Sequence, residues 1–359
     1  MLPQELFSLF QTQGTFAEAK PLGAGLINDS YIVTTKEPSA PDYLLQRINH
    51  HIFPNVEMMQ QNIYRVTTHL RHKLEQRHTP DIDRKVLTMV PKKDGTLYHF
   101  DGDCYWRFMI YIPDTLTLND VTEHSAYDAG RGFGQFQTDL SDLPGKPLGE
   151  TIPNFHNMEF RLHQFYEAIA TDPVGRVAKV TDLINEIEQR AYDLCLPERL
   201  YREGKLTKRI NHCDTKVNNM LFDKDGKLLC VIDLDTVMPG FVLSDIGDFI
   251  RTAGNTGAED DPNLDNIELN MPIFKAYTRG YLETATFLTP LEKSLLPFGG
   301  RLLTYMQTVR FLTDYINGDT YYKTNSPEHN LQRTRAQFKL LQSIERHLPE
   351  MNDFVAENN

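Results

Sequence analysis

A little past the middle of the chain, the sequence reads Asn211-His212-Cys213-Asp214-Thr215-Lys216-Val217-Asn218-Asn219, and then Val231-Ile232-Asp233-Leu234-Asp235. The first stretch has the pattern H-x-D-x-K-x-x-N, and the second places an aspartate at the end of an apolar run. Transfer of a phosphoryl group from ATP needs a carboxylate that orients and deprotonates the attacking hydroxyl. It also needs an amide oxygen and a second carboxylate that hold Mg²⁺ over the phosphates. We predict these roles for Asp214, Asn219 and Asp233 respectively.

The two stretches are joined by a predicted β-hairpin. Strand-like runs at 218–223 and 227–233 flank the dipeptide Asp225-Gly226, which favours a tight turn. Folding about this turn places residue 218 or 219 opposite residue 232 or 233, so the two metal ligands are expected at one end of the hairpin. Either motif alone occurs by chance in ordinary loops and hairpins. Together, and in this order, they predict phosphotransfer.

The composition bounds the class of protein. The chain has 359 residues, of which 40% are hydrophobic and 24% charged, as is typical of soluble globular proteins. The formal net charge of -12 argues against binding to nucleic acid or to an anionic membrane. No run approaches the ~20 apolar residues that span a bilayer, and the start lacks the features of a secretory signal. The four cysteines show neither metal-binding spacing nor a disulfide framework, so we expect a cytoplasmic protein with reduced thiols.

The distribution of periodic segments predicts an α+β fold with two parts. Strand-like runs occupy 30–35, 43–48, 86–90 and 105–112, and one long helix is predicted from just after Pro54 to about Arg77. Helical patterns then occupy 120–141, 156–171, 176–194, 270–286, 290–317 and 328–347. We predict a β-rich, nucleotide-binding lobe over residues 1–113. A mainly helical lobe over 114–359 would hold the catalytic loop, the metal hairpin and the substrate pocket.

A glycine-rich segment, Leu22-Gly23-Ala24-Gly25-Leu26-Ile27-Asn28, precedes the strand-like run that starts at Ser30. Glycine lets a backbone approach phosphates closely, and asparagine tolerates positive φ, so Gly23, Gly25 and Asn28 are predicted to contact the nucleotide. The segment alone is a weak signal, because Gly-x-Gly between strands is usually a tight turn. A strand follows it and not a helix, which disfavours a dinucleotide-binding fold.

The next strand-like run lacks the lysine with which protein kinases pair the α and β phosphates. Gln46 takes the position of that lysine, and Arg47 follows it. The next helix contains Glu57. Several alternatives stay open. Gln46 contacts the phosphates as a neutral donor, Arg47 replaces the lysine from a shifted register, or Mg²⁺ carries more of the neutralisation. Arg47 as an ordinary solvated strand residue is equally compatible with the sequence.

The segment after Asp233 has no Phe-Gly, no long activation segment and no Ala-Pro-Glu signal, which excludes the protein-kinase pattern. The chain resembles the aminoglycoside-phosphotransferase-like superfamily of small-molecule kinases, which has the protein-kinase-like two-lobe fold. Residues 212–219, 232–240 and 310–335 are similar to the N-acetylhexosamine 1-kinase subfamily. This resemblance implies an enzyme that uses ATP and Mg²⁺ to phosphorylate the 1-hydroxyl of N-acetylglucosamine or N-acetylgalactosamine in amino-sugar salvage.

The resemblance also implies roles for single residues. Asp214 would be the catalytic base and contact the sugar, and Asn219 and Asp233 would bind the metal. Arg310 and Tyr321 would contact the sugar. From the residues alone, Arg310 is equally a partner for the carboxylate of Asp314, four positions later on the same helix.

Supporting roles fall to His212, which would anchor the catalytic loop, to Lys216, and to Asp235, which would either support the metal site or face solvent. Two positions depart from the subfamily, since Leu26 replaces a histidine and Thr252 replaces an aromatic residue. Both positions are expected to line the sugar pocket, so the preference for one sugar over another is expected to differ.

Two other functions are compatible with the same motifs. The first is a kinase of this fold that acts on another small hydroxyl compound, such as a hexose, choline or homoserine. The second is a non-catalytic pseudokinase scaffold, which the missing strand lysine suggests. Retention of all three predicted catalytic and metal-binding residues argues against the scaffold.

Overall fold

The computed structural model describes residues 1–23, 27–118 and 120–358. The chain forms two compact units. The first comprises Met1–Leu118, Asp142–Pro153 and Asn219–Met238, and the second comprises Asn119–Ser141, Asn154–Asn218 and Pro239–Asn359. The hairpin at 219–238 therefore groups with the first unit, whereas we predicted it in the helical part. Backbone hydrogen bonds between Leu116 and Phe222, of 2.8 and 2.9 Å, attach the hairpin to the end of the β-rich segment. The predicted lobe boundary at residue 113 stays a prediction.

The fold class is α+β, as predicted. Among the described helices, none is both long and apolar enough to cross a membrane. The strands are β1 (Phe16–Pro21), β2 (Asp29–Thr35), β3 (Tyr43–Ile48), β4 (Met89–Val90), β5 (His99–Phe100), β6 (Tyr105–Ile110), β7 (Arg209–Asn211), β8 (Met220–Phe222), β9 (Leu228–Val231) and β10 (Met238–Gly240). The helices are α1 (Pro3–Leu9), α2 (Val56–Gln76), α3 (Glu123–Leu140), α4 (Met158–Thr171), α5 (Thr181–Leu194), α6 (Leu196–Arg202), α7 (Leu243–Thr252), α8 (Met271–Thr284), α9 (Pro290–Ser294), α10 (Leu296–Ile316) and α11 (His329–Glu357).

The first unit is built on an antiparallel sheet of order β1-β2-β3-β6-β4, with β5 pairing to β6. Side chains alternate between the two faces of a strand, so one face collects the apolar positions. Helix α1 covers this face, and the resulting core contains Leu6, Phe7, Phe10, Val33, Tyr43, Leu45, Val90, Trp106 and Phe108. The other face carries Ser30, Gln46 and Arg107, which lie opposite one another on β2, β3 and β6.

Helix α2 is the predicted long helix of the first unit. The side chain of Asn55 caps its start by accepting a hydrogen bond from Met58 N at 3.0 Å. Further along, Asn62 Nδ2 donates to Gly149 O at 2.8 Å and to Val237 O at 3.2 Å. These bonds attach α2 to the segment Asp142–Pro153 and to the residues that follow the hairpin.

In the second unit, α10 is the central helix and packs against α4, α7 and α11, while α3 packs against α8. The contact of α7 with α10 depends on glycine, because a Cβ at Gly247 would lie only 2.3 Å from Gly299 O. The backbones therefore approach closely at this point. This contact fixes the position of α7, which carries the carboxylates that hold the catalytic loop.

The predicted elements differ from the observed ones mainly at their ends. The strand predicted over 86–90 is only Met89–Val90, and the helix predicted over 290–317 is divided into α9 and α10. Helix α11 continues past Pro349 to residue 357, although we predicted its end near 347. Burial of Met351 and Phe354 explains the extension, since the Phe354 ring packs edge-on against Phe274 with centroids 6.1 Å apart.

Candidate active site

The predicted hairpin register is confirmed. Strands β8 and β9 pair antiparallel, and Ile232 N donates to Asn219 O at 2.9 Å just beyond the ladder. Gly226 has φ of +79° at the turn, where its N–H donates to Asp223 O at 3.0 Å. Asn219 therefore lies opposite Ile232, the neighbour of Asp233, at the end of the hairpin away from the turn.

The end of this hairpin fits a magnesium site that is completed by a ligand. Asn219 and Asp233 offer an amide oxygen and a carboxylate, which are hard oxygen donors of the kind Mg²⁺ takes. Asp233 is exposed and has φ of +57°, a left-handed conformation that is uncommon outside glycine. Over the described ranges no group of three or more His, Cys, Asp or Glu could hold a metal ion. Mg²⁺ bound to nucleotides usually takes one or two protein groups plus phosphate oxygens and waters, which agrees with a two-residue site.

The catalytic loop, residues 211–216, belongs to the second unit and is held by Asp245 on α7. The Asp245 carboxylate accepts hydrogen bonds from His212 N at 2.8 Å, Cys213 N at 2.7 Å and Gln137 Nε2 at 2.8 Å. Cys213 has φ of +65° and is buried. A non-glycine residue in this conformation costs on the order of 1–3 kcal/mol. The bonds to Asp245 hold the loop in that strained conformation.

A second carboxylate on α7 holds the residue after the candidate base. Thr215 N donates to Asp248 Oδ2 at 3.0 Å, and Thr215 Oγ1 donates to Asp245 O at 2.6 Å. Arg251, which is also buried, pairs with Asp248 at 2.8 Å. Our sequence reasoning missed both α7 carboxylates, although two aspartates three positions apart at a helix start were a visible signal.

The candidate base Asp214 lies beside a lysine. Lys216 Nζ is 3.0 Å from Asp214 Oδ1. Burial disfavours the charged ammonium, but the carboxylates of Asp214 and Asp248 outweigh this effect and raise the pKa of Lys216 above its ordinary value. His212 is fully buried with its ring against Phe133, and its Nδ1 accepts a hydrogen bond from Asp214 N at 3.3 Å. The roles of His212 and Lys216 as supporting residues stay predictions.

The importance of Asp245 is testable by substitution. We expect Asp245→Ala to lower the free energy of unfolding by about 1–3 kcal/mol for each buried N–H of His212 and Cys213 that loses its acceptor. Denaturant unfolding monitored by circular dichroism measures this. Asp353→Ala, at an exposed position of α11, is the matched control and should stay within about 0.5 kcal/mol of the parent. Equal stabilities of the two variants would contradict the role given to Asp245.

Another cluster of the second unit contains Arg310 on α10. The predicted alternative, an ion pair with Asp314, is wrong: the Asp314 carboxylate is buried and accepts the backbone N–H groups of Thr320, Tyr321 and Tyr322 at 2.8–3.0 Å. The ion pairs found in the described part of the chain include none with Arg310. Asp314 thus organises the loop that presents the two tyrosines, and Arg310 has no carboxylate partner among the described residues.

Aromatic rings surround Arg310 instead. Its guanidinium carbon lies 5.3 Å from the centroid of Phe155, 5.9 Å from that of Tyr321 and 5.6 Å from that of Tyr322. Its NH1 donates to Gln307 Oε1 at 3.1 Å. The structure therefore brings together the two predicted sugar contacts, Arg310 and Tyr321. It adds Tyr322 and also Phe155, which the sequence patterns did not single out.

His156 extends this cluster. Its ring stacks on Phe155 with centroids 4.3 Å apart, and its buried Nδ1 has no hydrogen-bond partner in the part of the chain that the structure describes. Burial lowers the pKa of His156 to about 3, so the imidazole is neutral at physiological pH. The cluster therefore combines aromatic surface, a cation and an unsatisfied polar atom, as ligand pockets do.

The glycine-rich segment is described only in part, since Gly25 and Leu26 lie outside the described residues. Gly23 has the expected positive φ of +59°. Asn28 does not have a positive φ, contrary to our expectation; its side chain donates from Nδ2 to Asp235 Oδ2 at 2.7 Å. Asp235 is buried, which rules out the predicted alternative that it faces solvent.

The structure also defines the contacts of Gln46, which occupies the strand position where protein kinases carry a lysine. Gln46 Nε2 donates to Ser30 Oγ at 2.9 Å, and Gln46 Oε1 accepts from Arg107 Nε at 2.9 Å. Arg47 lies on the other face of β3 and pairs at the surface with Asp29, with 2.7 Å between Nε and Oδ2. Of the alternatives left open above, the structure therefore places Arg47 as an ordinary strand residue.

Comparisons with known proteins identify the family. The profile of the phosphotransferase enzyme family APH matches residues 18–285, about three quarters of the chain, and the chain belongs to this family. This confirms the predicted class of enzyme, a phosphotransferase.

Solved structures of related fold include an aminoglycoside phosphotransferase from Alicyclobacillus acidocaldarius. It has a TM-score of 0.64 and 12% identity, over 99% of this chain and 97% of that one. The amicoumacin kinase hAmiN, solved with AMP-PNP, Ca²⁺ and Ami, has a TM-score of 0.58 and 13% identity over 93% and 91% of the two chains. The ethanolamine kinase Pv091845 of Plasmodium vivax has a TM-score of 0.55 and 13% identity over 89% and 81%. At these identities the likeness shows the fold, which is kinase-like as predicted.

Proposed function

Starting from membership of the phosphotransferase family, we propose that this protein transfers the γ-phosphoryl group of ATP to the 1-hydroxyl of an N-acetylhexosamine in amino-sugar salvage. The observation that carries the proposal is the set of contacts that surrounds Arg310. It has no carboxylate partner in the described chain, it is surrounded by aromatic rings, and it lies beside the loop that Asp314 holds. The resemblance of residues 310–335 assigns this position to sugar contact.

The chemistry on the acceptor side is assigned to Asp214. Its carboxylate accepts the proton of the 1-hydroxyl as the oxygen attacks the γ-phosphorus, and Lys216 places a positive charge beside it. The bonds from Asp245 and Asp248 to the loop keep this carboxylate oriented. The resemblance and the fixed backbone support this assignment.

The chemistry on the nucleotide side is assigned to the hairpin. Asn219 and Asp233 would hold Mg²⁺, which when bound neutralises the phosphate oxygens and orients the γ-phosphoryl group. The short hairpin keeps the amide and the carboxylate at one end, so both are available to the same ion. Gly23 and Asn28 would contact the nucleotide.

The sugar side is assigned to Arg310, Tyr321 and, in addition, His156. Arg310 has N–H donors to offer to ring hydroxyls beyond its one bond to Gln307, and the tyrosine ring supplies apolar surface for the sugar. The Thr252 hydroxyl is engaged within α7, where it donates to Asp248 O at 2.7 Å. Because threonine is smaller than the aromatic residue of the subfamily, we expect both N-acetylglucosamine and N-acetylgalactosamine to be accepted.

The cluster around Arg310 also discriminates among the alternative acceptors. Choline and other amino alcohols carry a positive charge, and a cationic acceptor in a pocket with an unpaired arginine is repelled. Neutral acceptors are therefore favoured, which leaves hexoses without the acetamido group as the competing class. A panel assay of ADP release, with N-acetylhexosamines, hexoses, choline and homoserine, tests this. Turnover of choline or homoserine, with none of any N-acetylhexosamine, would end the sugar assignment.

The role of Arg310 predicts a specific kinetic change. We expect Arg310→Ala to lower kcat/KM for the sugar by an amount equivalent to ~1.5–3 kcal/mol, the usual range for hydrogen bonds that involve a charged group. The KM for the sugar should rise, whereas the KM for ATP should change little. Steady-state kinetics with each substrate varied in turn measures both.

Arg335→Ala is the matched control for this change, because Arg335 is an exposed arginine on α11. It should leave both KM values unchanged. Unaltered sugar kinetics in Arg310→Ala, with the fold intact by circular dichroism, would remove Arg310 from the sugar pocket.

A further inference from the structure

Arg107 on β6 is a buried cation on the face of the first unit's sheet that is opposite the core covered by α1. Its side chain is only 2% exposed, and it is among the largest fully buried side chains of the chain. In the β3–β6 ladder Arg107 lies opposite Gln46, and in the β2–β3 ladder Gln46 lies opposite Ser30. The structure thus places a guanidinium one strand away from the position where a protein kinase carries its lysine.

A continuous set of hydrogen bonds runs through this arginine. Arg107 donates from Nε to Gln46, which in turn donates to Ser30. On its other side Arg107 forms an ion pair with the buried carboxylate of Asp235, and Asp235 accepts from Asn28 Nδ2. The network therefore connects the sheet to Asn28, at the end of the glycine-rich segment, and to Asp235, two positions after Asp233.

These bonds explain why the strand position holds glutamine. Both ends of the Gln46 amide are engaged, Oε1 by Arg107 and Nε2 by Ser30, so Gln46 keeps one neutral N–H and offers no positive charge to a phosphate. A lysine at position 46 would face the guanidinium of Arg107 across adjacent strands, and like charges in directly opposite positions are destabilising. A glutamine at position 46 is therefore compatible with the cation of Arg107, which lies on β6 instead of on the strand where protein kinases carry the lysine.

The charge and donor count of Arg107 suit a phosphate ligand. A guanidinium carries five N–H donors in a planar fork that matches phosphate oxygens. The contacts described above use one donor on Nε and one on NH1. Asp233, the proposed metal ligand, is two residues from Asp235, and Asn28 belongs to the segment proposed to contact the nucleotide.

We propose that Arg107 replaces the strand lysine and binds the phosphates of a nucleoside di- or triphosphate, with Gln46 and Asp235 orienting its guanidinium. This inference rests on the proposed ATP-dependent function. It assigns the cation of the phosphate site to β6, and it gives Asp235 the role of holding that cation in place.

The test measures nucleotide binding in the absence of any sugar. Arg107→Met alone would leave the Asp235 charge buried and unpaired, which is strongly destabilising. The double variant Arg107→Met/Asp235→Asn removes the pair together. Dissociation constants for ADP and for adenosine, measured by titration calorimetry with Mg²⁺, then separate the phosphates from the nucleoside.

We expect the double variant to lose affinity for ADP by roughly 10- to 150-fold, the range for a hydrogen bond that involves a charged group. Affinity for adenosine should stay within about twofold. Adding Gln46→Lys to the double variant should restore ADP affinity at least in part, because it returns a cation to the usual strand position. A merely structural pair would show no such rescue.

The matched control is Arg47→Met/Asp29→Asn, which removes a surface Arg–Asp pair from the next position of β3. It should leave both dissociation constants unchanged. Unchanged ADP affinity in the Arg107 double variant, or an equal loss for ADP and adenosine, would overturn the phosphate role of Arg107. If the unmodified protein bound no ADP with Mg²⁺, the ATP-dependent function itself would fail, and this inference with it.

Discussion

Asp214→Asn is expected to lower kcat by about 10²- to 10⁴-fold, the usual loss when one positioned proton acceptor is removed. The substitution keeps the size and the hydrogen-bonding shape of the side chain, but an amide does not accept the proton of the 1-hydroxyl. The loop backbone should stay in place, because the carboxylates of Asp245 and Asp248 accept its N–H groups in the variant as well. Affinity for ADP with Mg²⁺ should therefore change little.

Steady-state turnover and calorimetric ADP binding, measured on the same preparation, test this prediction. Asp193→Asn, at an exposed position of α5, is the control and should have parental kinetics. A near-normal kcat for Asp214→Asn would show that another group is the base. A large loss of ADP affinity would show that Asp214 acts on the nucleotide.

Asp233→Ala is expected to abolish both turnover and the dependence of nucleotide binding on Mg²⁺. Asp233 supplies the only carboxylate among the two proposed metal ligands, so its loss leaves Asn219 with a neutral oxygen that holds the ion poorly. ADP should then bind with the same weak affinity in the presence of Mg²⁺ and in its absence.

Calorimetric titrations of ADP with and without Mg²⁺ measure this effect. Asp225→Ala is a matched control on the same hairpin, since Asp225 is exposed at the turn. It should keep the Mg²⁺ dependence of the parent. Retention of that dependence in Asp233→Ala would mean that the metal is bound elsewhere.

The features that the sequence predicted well are local ones. The hairpin register follows from the Asp225-Gly226 turn and from two adjacent runs, so Asn219 pairs with Ile232 as expected. The long helix α2 and the inner strands follow from periodicity within single segments. These predictions needed no knowledge of tertiary packing.

The features that the sequence did not predict depend on contacts between residues that are far apart in the sequence. Arg107 is 61 residues from Gln46 and 128 residues from Asp235. The strand order β3-β6 brings Arg107 beside Gln46, and Asp235 comes from the turn Leu234–Thr236 that follows β9. Asp245 lies 32 residues from Cys213, whose left-handed backbone it holds. No local pattern encodes such pairs, because periodicity and turn chemistry describe only neighbouring residues.

The cluster around Arg310 shows the same difference between what local patterns predict and what distant contacts determine. The sequence indicated Arg310 and Tyr321 through resemblance, but it also allowed the i+4 pair of Arg310 with Asp314. The backbone N–H groups of residues 320–322 compete for the Asp314 carboxylate and displace Arg310 from it. Only the folded loop shows which of the two interactions wins.

The position of the phosphate in the product tests the central claim most directly. The protein is incubated with ATP, Mg²⁺ and N-acetylglucosamine or N-acetylgalactosamine, and the product is examined by ³¹P NMR for coupling to the anomeric proton. We predict a sugar 1-phosphate from both sugars, and no phosphorylation of the corresponding 1-deoxy sugars. Phosphate on any other hydroxyl, or turnover of the 1-deoxy sugars, would contradict the proposal.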